Sequence, residues 1–305
     1  MDLARRDFAK SMIKTIINSN KKDADVVFLS APYEKTASSH KGTSAGPAAV
    51  IEQLNHQIEF FSRKFKKNAC DFVKSAHVDM GNLDQFSPEE TMQKIHATAE
   101  NLLKENKFIF LLGGEHAVSI GVFKALAKKY NPKDVTILHI DAHCDLRTDD
   151  ADYSEDPSKY AHSTVMRHAS ELGFPLIQVG IRTYSEDEHA YFSNKKNNVT
   201  VFEWKTGKTP KITDILKKIK TKNIYISIDV DGFDPAFMPG TGTAVQGGLD
   251  WWYGVSLIEQ AIAKKELVAA DIVEVSPLPD SVLTEYGAAE LAYIMLAQKF
   301  AKRLK

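Results

Sequence analysis

Short β-branched runs alternate with longer amphipathic stretches along this chain, which predicts an α/β protein whose parallel sheet is covered by helices on both faces. Two observations carry the prediction. The short runs are continuously apolar, as strands buried on two sides require. The stretches between them repeat apolar residues at three and four, as helices do. Candidate strands are 26–30, 108–112, 136–141, 176–179, 200–202, 224–229 and 270–275, and candidate helices are 46–54, 89–105, 119–130, 212–220, 255–265 and 288–303. Within 1–22, Leu3, Phe8, Met12, Ile13 and Ile16 sit at roughly helical spacing and predict an amphipathic N-terminal helical extension. Lys195, Lys196, Asn197 and Asn198 read as a polar turn. No repeat, low-complexity tract or Gly/Ser/Pro linker divides the chain, so residues 1–305 are expected to form one domain.

The chain has 305 residues, with 39 Lys and Arg against 40 Asp and Glu and a formal net charge of −1. A broad nucleic-acid surface needs a basic excess, which this balance excludes. No apolar run approaches the roughly 18 residues of a membrane helix. The charged residues Asp2, Arg5, Arg6, Asp7 and Lys10 leave no secretory core near the N-terminus. Cys70 and Cys144 lie far apart and suit a reducing compartment, so a cytoplasmic location is expected. A core of this size needs neither disulfides nor structural zinc.

In open parallel sheets, ligands bind beyond the carboxyl ends of the strands. Three such places are unusual here. The run 108–112 leads into Gly113-Gly114-Glu115-His116, 136–140 into Asp141-Ala142-His143-Cys144-Asp145, and 224–228 into Asp229-Val230-Asp231. An extended backbone would project Asp141, His143 and Asp145 to one side, and Asp229 and Asp231 likewise. Carboxylates gathered in this way repel one another unless cations neutralise them. A lone Asp at a strand end is ordinarily a cap or turn residue. Four Asp and two His together instead point to a metal site, over-supplying one ion and suiting two that share carboxylates. With no thiolate, this donor set favours Mn2+, with Fe2+, Co2+ or Zn2+ as alternatives. The matching chemistry is metal-assisted hydrolysis. His139 shares the parity of Asp141 but lies inside its run, where it reads as an outer partner or core residue. Cys144 reads as packing.

These segments together resemble the ureohydrolase family, which includes arginase and agmatinase. The resemblance rests on Gly113 to His116, on Asp141 to Asp145, on Ser227-Ile228-Asp229-Val230-Asp231-Gly232-Phe233-Asp234-Pro235 and on Asp271-Ile272-Val273-Glu274-Val275. It implies an arginase-like three-layer α/β/α sandwich with a mainly parallel sheet and two Mn2+ per subunit. It further implies that His116 and Asp145 hold one manganese, His143 and Asp231 the other, and Asp141 and Asp229 both. By the same resemblance, a hydroxide between the metals attacks a guanidinium carbon to give urea and an amine. Asp145 then relays a proton to the leaving amine, His162 is the acid/base histidine with His168 in reserve, and Glu274 pairs with the substrate guanidinium. Family members are homo-oligomers, trimers or hexamers, and take a small guanidino substrate.

Agmatine is the favoured substrate. Ala31-Pro32-Tyr33-Glu34-Lys35, Gly42-Thr43-Ser44, Gly180-Ile181-Arg182-Thr183 and Asp234-Pro235-Ala236-Phe237 look like agmatinases. The Ser/Asn loop with which arginases read an amino acid is missing after Asp145. Ala244-Val245-Gln246 departs from the usual Pro-Glu-Pro. Arg147 either greets a carboxylate tail or pairs with Asp149 or Asp150. The competing readings are an arginase, a guanidinobutyrase, a guanidinopropionase, a formimidoyl hydrolase and a metal-binding relative without turnover. A serine hydrolase is suggested only by Gly42-Thr43-Ser44-Ala45-Gly46, which lacks the preceding strand that a nucleophile elbow needs.

Overall fold

A computed structural model of the chain describes residues 15–205, 207 and 209–304. Its strands are β1 (Val26–Ala31), β2 (Phe61–Ser62), β3 (Lys67–Asn68), β4 (Ser75–Asp79), β5 (Phe108–Gly113), β6 (Val135–Ile140), β7 (Leu176–Ile181), β8 (Val199–Glu203), β9 (Asn223–Asp229) and β10 (Glu266–Val273). All but β2 and β3 form one parallel sheet in the order β4-β1-β5-β10-β9-β6-β7-β8. The pair β2–β3 is a small antiparallel hairpin outside it.

Successive residues of the central strands enter two separate cores, which is why their sequence is apolar without alternation. On one face Phe28, Phe110, Ile140, Ile226 and Ile272 pack beneath Gly46–His56, Ile212–Lys218, Trp251–Lys264 and Leu283–Lys299. On the other, Leu29, Ile109, Leu111, Ile137 and Tyr225 pack beneath Pro88–Lys104, Ser119–Lys129 and Val165–Glu171. The result is a three-layer α/β/α sandwich. A Ser87–Glu90 capping box opens the helix Pro88–Lys104, ending its first turn's unpaired amides locally.

Strand β4 escapes a reading based on apolar runs. Its sequence Ser-Ala-His-Val-Asp alternates, and it forms the sheet edge against β1, with His77 and Val78 partly buried and Asp79 exposed. The short helices Val165–Glu171 and Glu186–Ser193 were likewise not expected from periodicity, being too short to display it. The polar residues near 195 do make a turn, a single 3-10 helix Lys195–Asn197 closed by left-handed Asn198.

Residues 1–14 of the expected N-terminal helix lie outside the described residues. Residues 15–22 are irregular rather than helical. The amides of Asn18 and Ser19 both donate to Ser75 O at 3.0 Å, and Ile16 is fully buried. The backbone of this stretch is satisfied by the neighbouring segment, so no helix is needed to satisfy it.

The strand order decides where the functional residues meet. Strands β5 and β6 follow one another in sequence, but β9 and β10 return to fill the gap between them. Leu112, Ile272, Ile228 and Ile140 are aligned partners across the four neighbours β5, β10, β9 and β6. The residues just beyond that line therefore converge at one edge of the sheet.

Candidate metal centre

His116, Asp141, His143, Asp145, Asp229 and Asp231 come together at this edge. His116 Nδ1 lies 3.1 Å from Asp145 Oδ2, 3.3 Å from Asp141 Oδ2 and 3.5 Å from Asp229 Oδ2. His143 Nδ1 lies 3.1 Å from Asp231 Oδ2 and 3.4 Å from Asp141 Oδ1. The two oxygens of Asp141 thus face two different groups, one around His116 and Asp145, the other around His143 and Asp231. Asp229 is less evenly placed, because its Oδ1 accepts the Asp231 amide at 2.9 Å.

Local backbone explains these positions. Asp145 does not continue an extended segment, contrary to the alternation expected for 141–145. Its φ of 53° turns the chain, and its carbonyl accepts the amides of Met166 and Arg167, each at 3.0 Å. That contact seats the start of Val165–Glu171, and with it the turn His162–Thr164, beside the acidic cluster. Gly232 lies on the turn after β9, and a Cβ there would be 2.6 Å from Asp141 N. Only glycine lets this turn abut the end of β6. Arg182 fastens the same turn by donating only to backbone carbonyls, including Asp231 O and Val245 O at 2.6 Å. The departing Ala244-Val245-Gln246 segment therefore contributes backbone carbonyls to this clamp. Thr243 Oγ1 donates to Asp231 Oδ2 at 3.0 Å.

The charge balance is unusual for a buried site. Burial raises Asp145 to about 6, and Asp141 beside it adds to the rise. Burial, then Asp231 and Asp141, holds Asp229 well above the ordinary carboxylate range. Burial works the same way on Asp141, but His139, His116 and His143 around it overcome that and hold it well below. The cluster carries more carboxylate than its imidazoles neutralise, the condition that a bound cation relieves.

The hydrogen-bond directions fit a cation as well. Asp271 is buried in β10 and accepts from Tyr225 Oη at 2.6 Å, Ser119 Oγ at 2.7 Å, Ser227 Oγ at 2.8 Å and the Ile228 amide at 3.2 Å. With its proton committed to Asp271, Ser227 Oγ offers a lone pair to His116 Nε2, 2.9 Å away. His116 must then carry a proton on Nε2, while its Nδ1 faces Asp141, Asp145 and Asp229, which overcome the lowering effect of burial and hold the imidazole well above its ordinary range. That buried atom has no hydrogen-bond partner. An imidazole nitrogen set among three carboxylates is a donor set that a metal ion fits, taking the place of the proton. His139 is oriented oppositely. Gln178 Nε2 must donate to Cys144 O (2.7 Å) and so also faces His139 Nδ1 (3.0 Å) as a donor. His139 Nε2–H then donates to Asp141 Oδ2 at 2.8 Å. His139 is thus an outer partner of Asp141, while Cys144 is buried packing.

The sequence reading places Asp271 and Arg182 in motifs but assigns no role at the site to them, to Gln178 or to Thr243. A charge within an apolar run, as at Asp271, was the one available signal, since such a residue must be buried and paired.

A chamber of about 310 Å3 opens from the cluster, its walls including Ser38, His143, Asp145, His162, Ser163 and Glu188. His162 Nδ1 lies 3.8 Å from Glu274 Oε1, and its Nε2 has no partner. Burial lowers His162 to about 4, with His143 and His116 adding to the effect. His168 is engaged elsewhere, stacked on Tyr160 at 5.1 Å and donating to Lys159 O at 2.7 Å. Glu274 leaves β10 with φ 62° and accepts the His116 amide at 2.8 Å; burial pushes it up to about 8. Arg147 pairs with Asp152 and lies over the Tyr153 ring at 4.8 Å, rather than pairing with Asp149 or Asp150. Ser44 sits in the 3-10 turn Thr43–Ala45 after a polar loop, so the elbow geometry of a serine hydrolase is missing.

A model of the arginase family matches residues 24–297. The chain belongs to the arginase family. It is a ureohydrolase, a hydrolase acting on guanidino C–N bonds. It is 31% identical to the N(1)-aminopropylagmatine ureohydrolase of Synechocystis over 90% of this chain and 89% of that one. It is 33% identical to the agmatinase of Halalkalibacterium halodurans over 91% and 93%. The agmatine ureohydrolase of Thermoplasma volcanium superposes with a TM-score of 0.82 at 28% identity, covering 96% of this chain and 97% of that one. No helix among the described residues of this ureohydrolase is long and apolar enough to cross a membrane.

Proposed function

We propose that this ureohydrolase converts agmatine to putrescine and urea at a dinuclear manganese centre. The observation that carries the reading is the division of the Asp141 carboxylate between two donor groups, one around His116 Nδ1 and the other around His143 Nδ1. His116 and Asp145 would hold one ion, His143 and Asp231 the other, and Asp141 and Asp229 both. When bound, the metal pair supplies a water-derived hydroxide nucleophile at neutral pH.

The chain's own side chains do the rest. Glu274 is pinned by the His116 amide and pairs with the planar guanidinium. His162, buried and neutral at physiological pH, presents a free Nε2 to exchange protons. Asp145 carries a proton to the leaving nitrogen. The chamber favours an amine tail over a carboxylate tail. Arg147 is the cation of its lining, and that charge is already answered by Asp152. Glu188, a carboxylate in the same lining, bonds only to the amides of Leu146 and Ser185.

A longer amine tail is the second reading. The chamber shares Ser38 and Tyr153 with an outer cavity of about 730 Å3, and the Synechocystis relative is named for an extended agmatine. A cytoplasmic homo-oligomer, trimeric or hexameric, acting as one domain over residues 1–305 belongs to the same proposal. It rests on the family resemblance and, for location, on the wide separation of Cys70 and Cys144 in the sequence.

A urea-release screen after manganese loading tests the reading, with agmatine, aminopropylagmatine, arginine, guanidinobutyrate and guanidinopropionate as substrates. Urea from agmatine or its aminopropyl derivative in preference to the others, abolished by a chelator, is expected. Preference for arginine or a carboxylate-tailed guanidine would overturn the substrate assignment, and chelator-resistant activity would overturn the metal centre.

The hydrogen-bond wiring makes a separate prediction. In Ser227→Ala, His116 Nε2 loses its acceptor and the imidazole is free to change tautomer. Manganese affinity should fall by roughly ten- to a hundredfold, the usual effect of removing an outer-shell partner. Calorimetric titration with Mn2+ checks this, and an unchanged dissociation constant would refute the wiring.

A further inference from the structure

The residue before His116 carries a buried carboxyl that none of the roles above uses. Glu115 is fully buried, and among the described residues its side chain bonds only to Thr36. The Thr36 amide donates to Glu115 Oε2 at 3.0 Å, and the Thr36 hydroxyl bonds to Oε1. The Glu115 amide donates in turn to Tyr33 O at 2.8 Å. A Cβ on Gly114 would lie 2.1 Å from that carbonyl, so only glycine lets the two segments run this close. Burial raises the Glu115 carboxyl well above its ordinary range, and either charge state serves the contact. Ionised, it accepts both Thr36 hydrogens. Protonated, it accepts the amide and donates to Thr36 Oγ1, whose own hydrogen turns to Tyr160 O at 3.4 Å.

Burying a carboxyl costs free energy, and what Thr36 carries shows what is held in return. Thr36 belongs to the loop between β1 and the turn Thr43–Ala45. Ser38, two residues on, lines both the chamber and the outer cavity, so it stands where a substrate tail passes from one to the other. Among the described residues, Ser38, Ser39, His40 and Lys41 make no hydrogen bond or ion pair. Their place is therefore set from the two ends of the stretch. At one end Glu115 holds Thr36. At the other, Glu34 Oε2 accepts the Gly42 amide at 2.6 Å and the Ser44 amide at 3.2 Å. The Glu34 contact closes the loop on itself, whereas the Glu115 contact fastens it to the strand end that bears His116.

We propose that Glu115 is a positioning residue for substrate binding: through Thr36 it holds residues 38–41 as the wall that the tail of a bound guanidine passes, and so sets affinity for tailed guanidines without touching them. The inference rests on the guanidine-hydrolase reading and adds to it a determinant of tail affinity that lies outside the chamber. A loosened anchor lowers the fraction of molecules with the wall in place, and apparent affinity falls with that fraction.

Thr36→Val, Thr36→Ser and Glu115→Gln test this in the full chain after manganese loading, with agmatine as the probe. Thr36→Val keeps the amide bond to Glu115 and loses the hydroxyl one. Its KM for agmatine should rise about three- to tenfold, with kcat within about twofold of wild type and manganese content unchanged. Inhibition by methylguanidine, which has no amine tail, should differ by less than about twofold between Thr36→Val and wild type. Thr36→Ser keeps the hydroxyl and should return KM to within about twofold of wild type. Glu115→Gln should do the same, because its Oε1 can accept the Thr36 amide while its Nε2 donates to Thr36 Oγ1. An unchanged KM in Thr36→Val would overturn the proposal, as would a KM in Glu115→Gln or Thr36→Ser as high as in Thr36→Val. Lost manganese, or a kcat that falls as far as KM rises, would also overturn it, since the contact would then support His116 and not the chamber wall. Equal weakening of methylguanidine and agmatine would remove the tail from the account and overturn it too. If the wild-type protein released no urea from agmatine, the functional reading would fail by itself. Calorimetric binding of agmatine would then decide the anchor: weaker binding by Thr36→Val supports it, and equal or absent binding in both proteins overturns it.

Discussion

Asp141→Asn is expected to abolish binding of both metal ions and lower urea release by more than about a hundredfold, beyond what an outer-shell substitution causes. The reason lies in the demands already placed on the side chain. The His143 amide donates to Asp141 Oδ1 at 2.6 Å, and His139 Nε2 donates to Oδ2 at 2.8 Å. Both oxygens must be acceptors, and both also face the two donor groups. An asparagine has one oxygen, so its amide N–H2 must confront either the His143 amide or His139, and a donor is left buried without a partner. The variant also loses the charge that two cations would share. Elemental analysis of the purified variant after manganese loading, alongside urea release, reads the outcome. Wild-type metal stoichiometry would refute the bridging role of Asp141.

Glu274→Gln should separate metal binding from substrate binding. A glutamine can keep the acceptor that receives the His116 amide at 2.8 Å, so the backbone around His116 should hold. What disappears is a carboxyl that burial holds up at about 8 and that a planar cation, on binding, would draw into its charged form. Removing one partner of a buried, hydrogen-bonded charge pair costs about 2–5 kcal/mol, so kcat/KM for agmatine should fall at least about thirtyfold. Metal content should stay at the wild-type level. The variant's left-handed backbone at 274, inherited from a φ of 62°, makes a folding check necessary. A circular dichroism melt that overlays the wild type supplies it. Normal turnover by the variant would remove Glu274 from the guanidinium site.

The central strands were legible because burial on both faces leaves an unmistakable apolar run, as in Phe108–Gly113 and Val135–Ile140. The edge strand Ser75–Asp79 was not, since one side of it meets water and its composition is that of a loop. The start of β10 was misplaced by four residues, because Glu266 and a bulge after Leu267 blur the run before Ala270. Within the site, residue types and their positions after strands were enough to gather six donors. Sequence could not say that Asp145 reaches His116 through a left-handed turn instead of an extended strand. Nor could it choose between His162 and His168, which differ in what their ring nitrogens touch, not in spacing.

Sequence by itself determined the α/β class, the His and Asp residues that follow the strands and their order, and the family resemblance, because these follow from local periodicity and from residue identity at strand ends. Only the tertiary structure decided which strands are neighbours, bringing β9 and β10 between β5 and β6 so that residues from His116 to Glu274 share one edge. It also decided that Arg147 answers Asp152, that Asp271 through Ser227 keeps a proton on His116 Nε2, and that Glu115 holds Thr36. The physical reason is directional. A hydrogen bond or ion pair depends on where a donor points and what faces it across the fold, and neither is encoded in the spacing of residues along the chain.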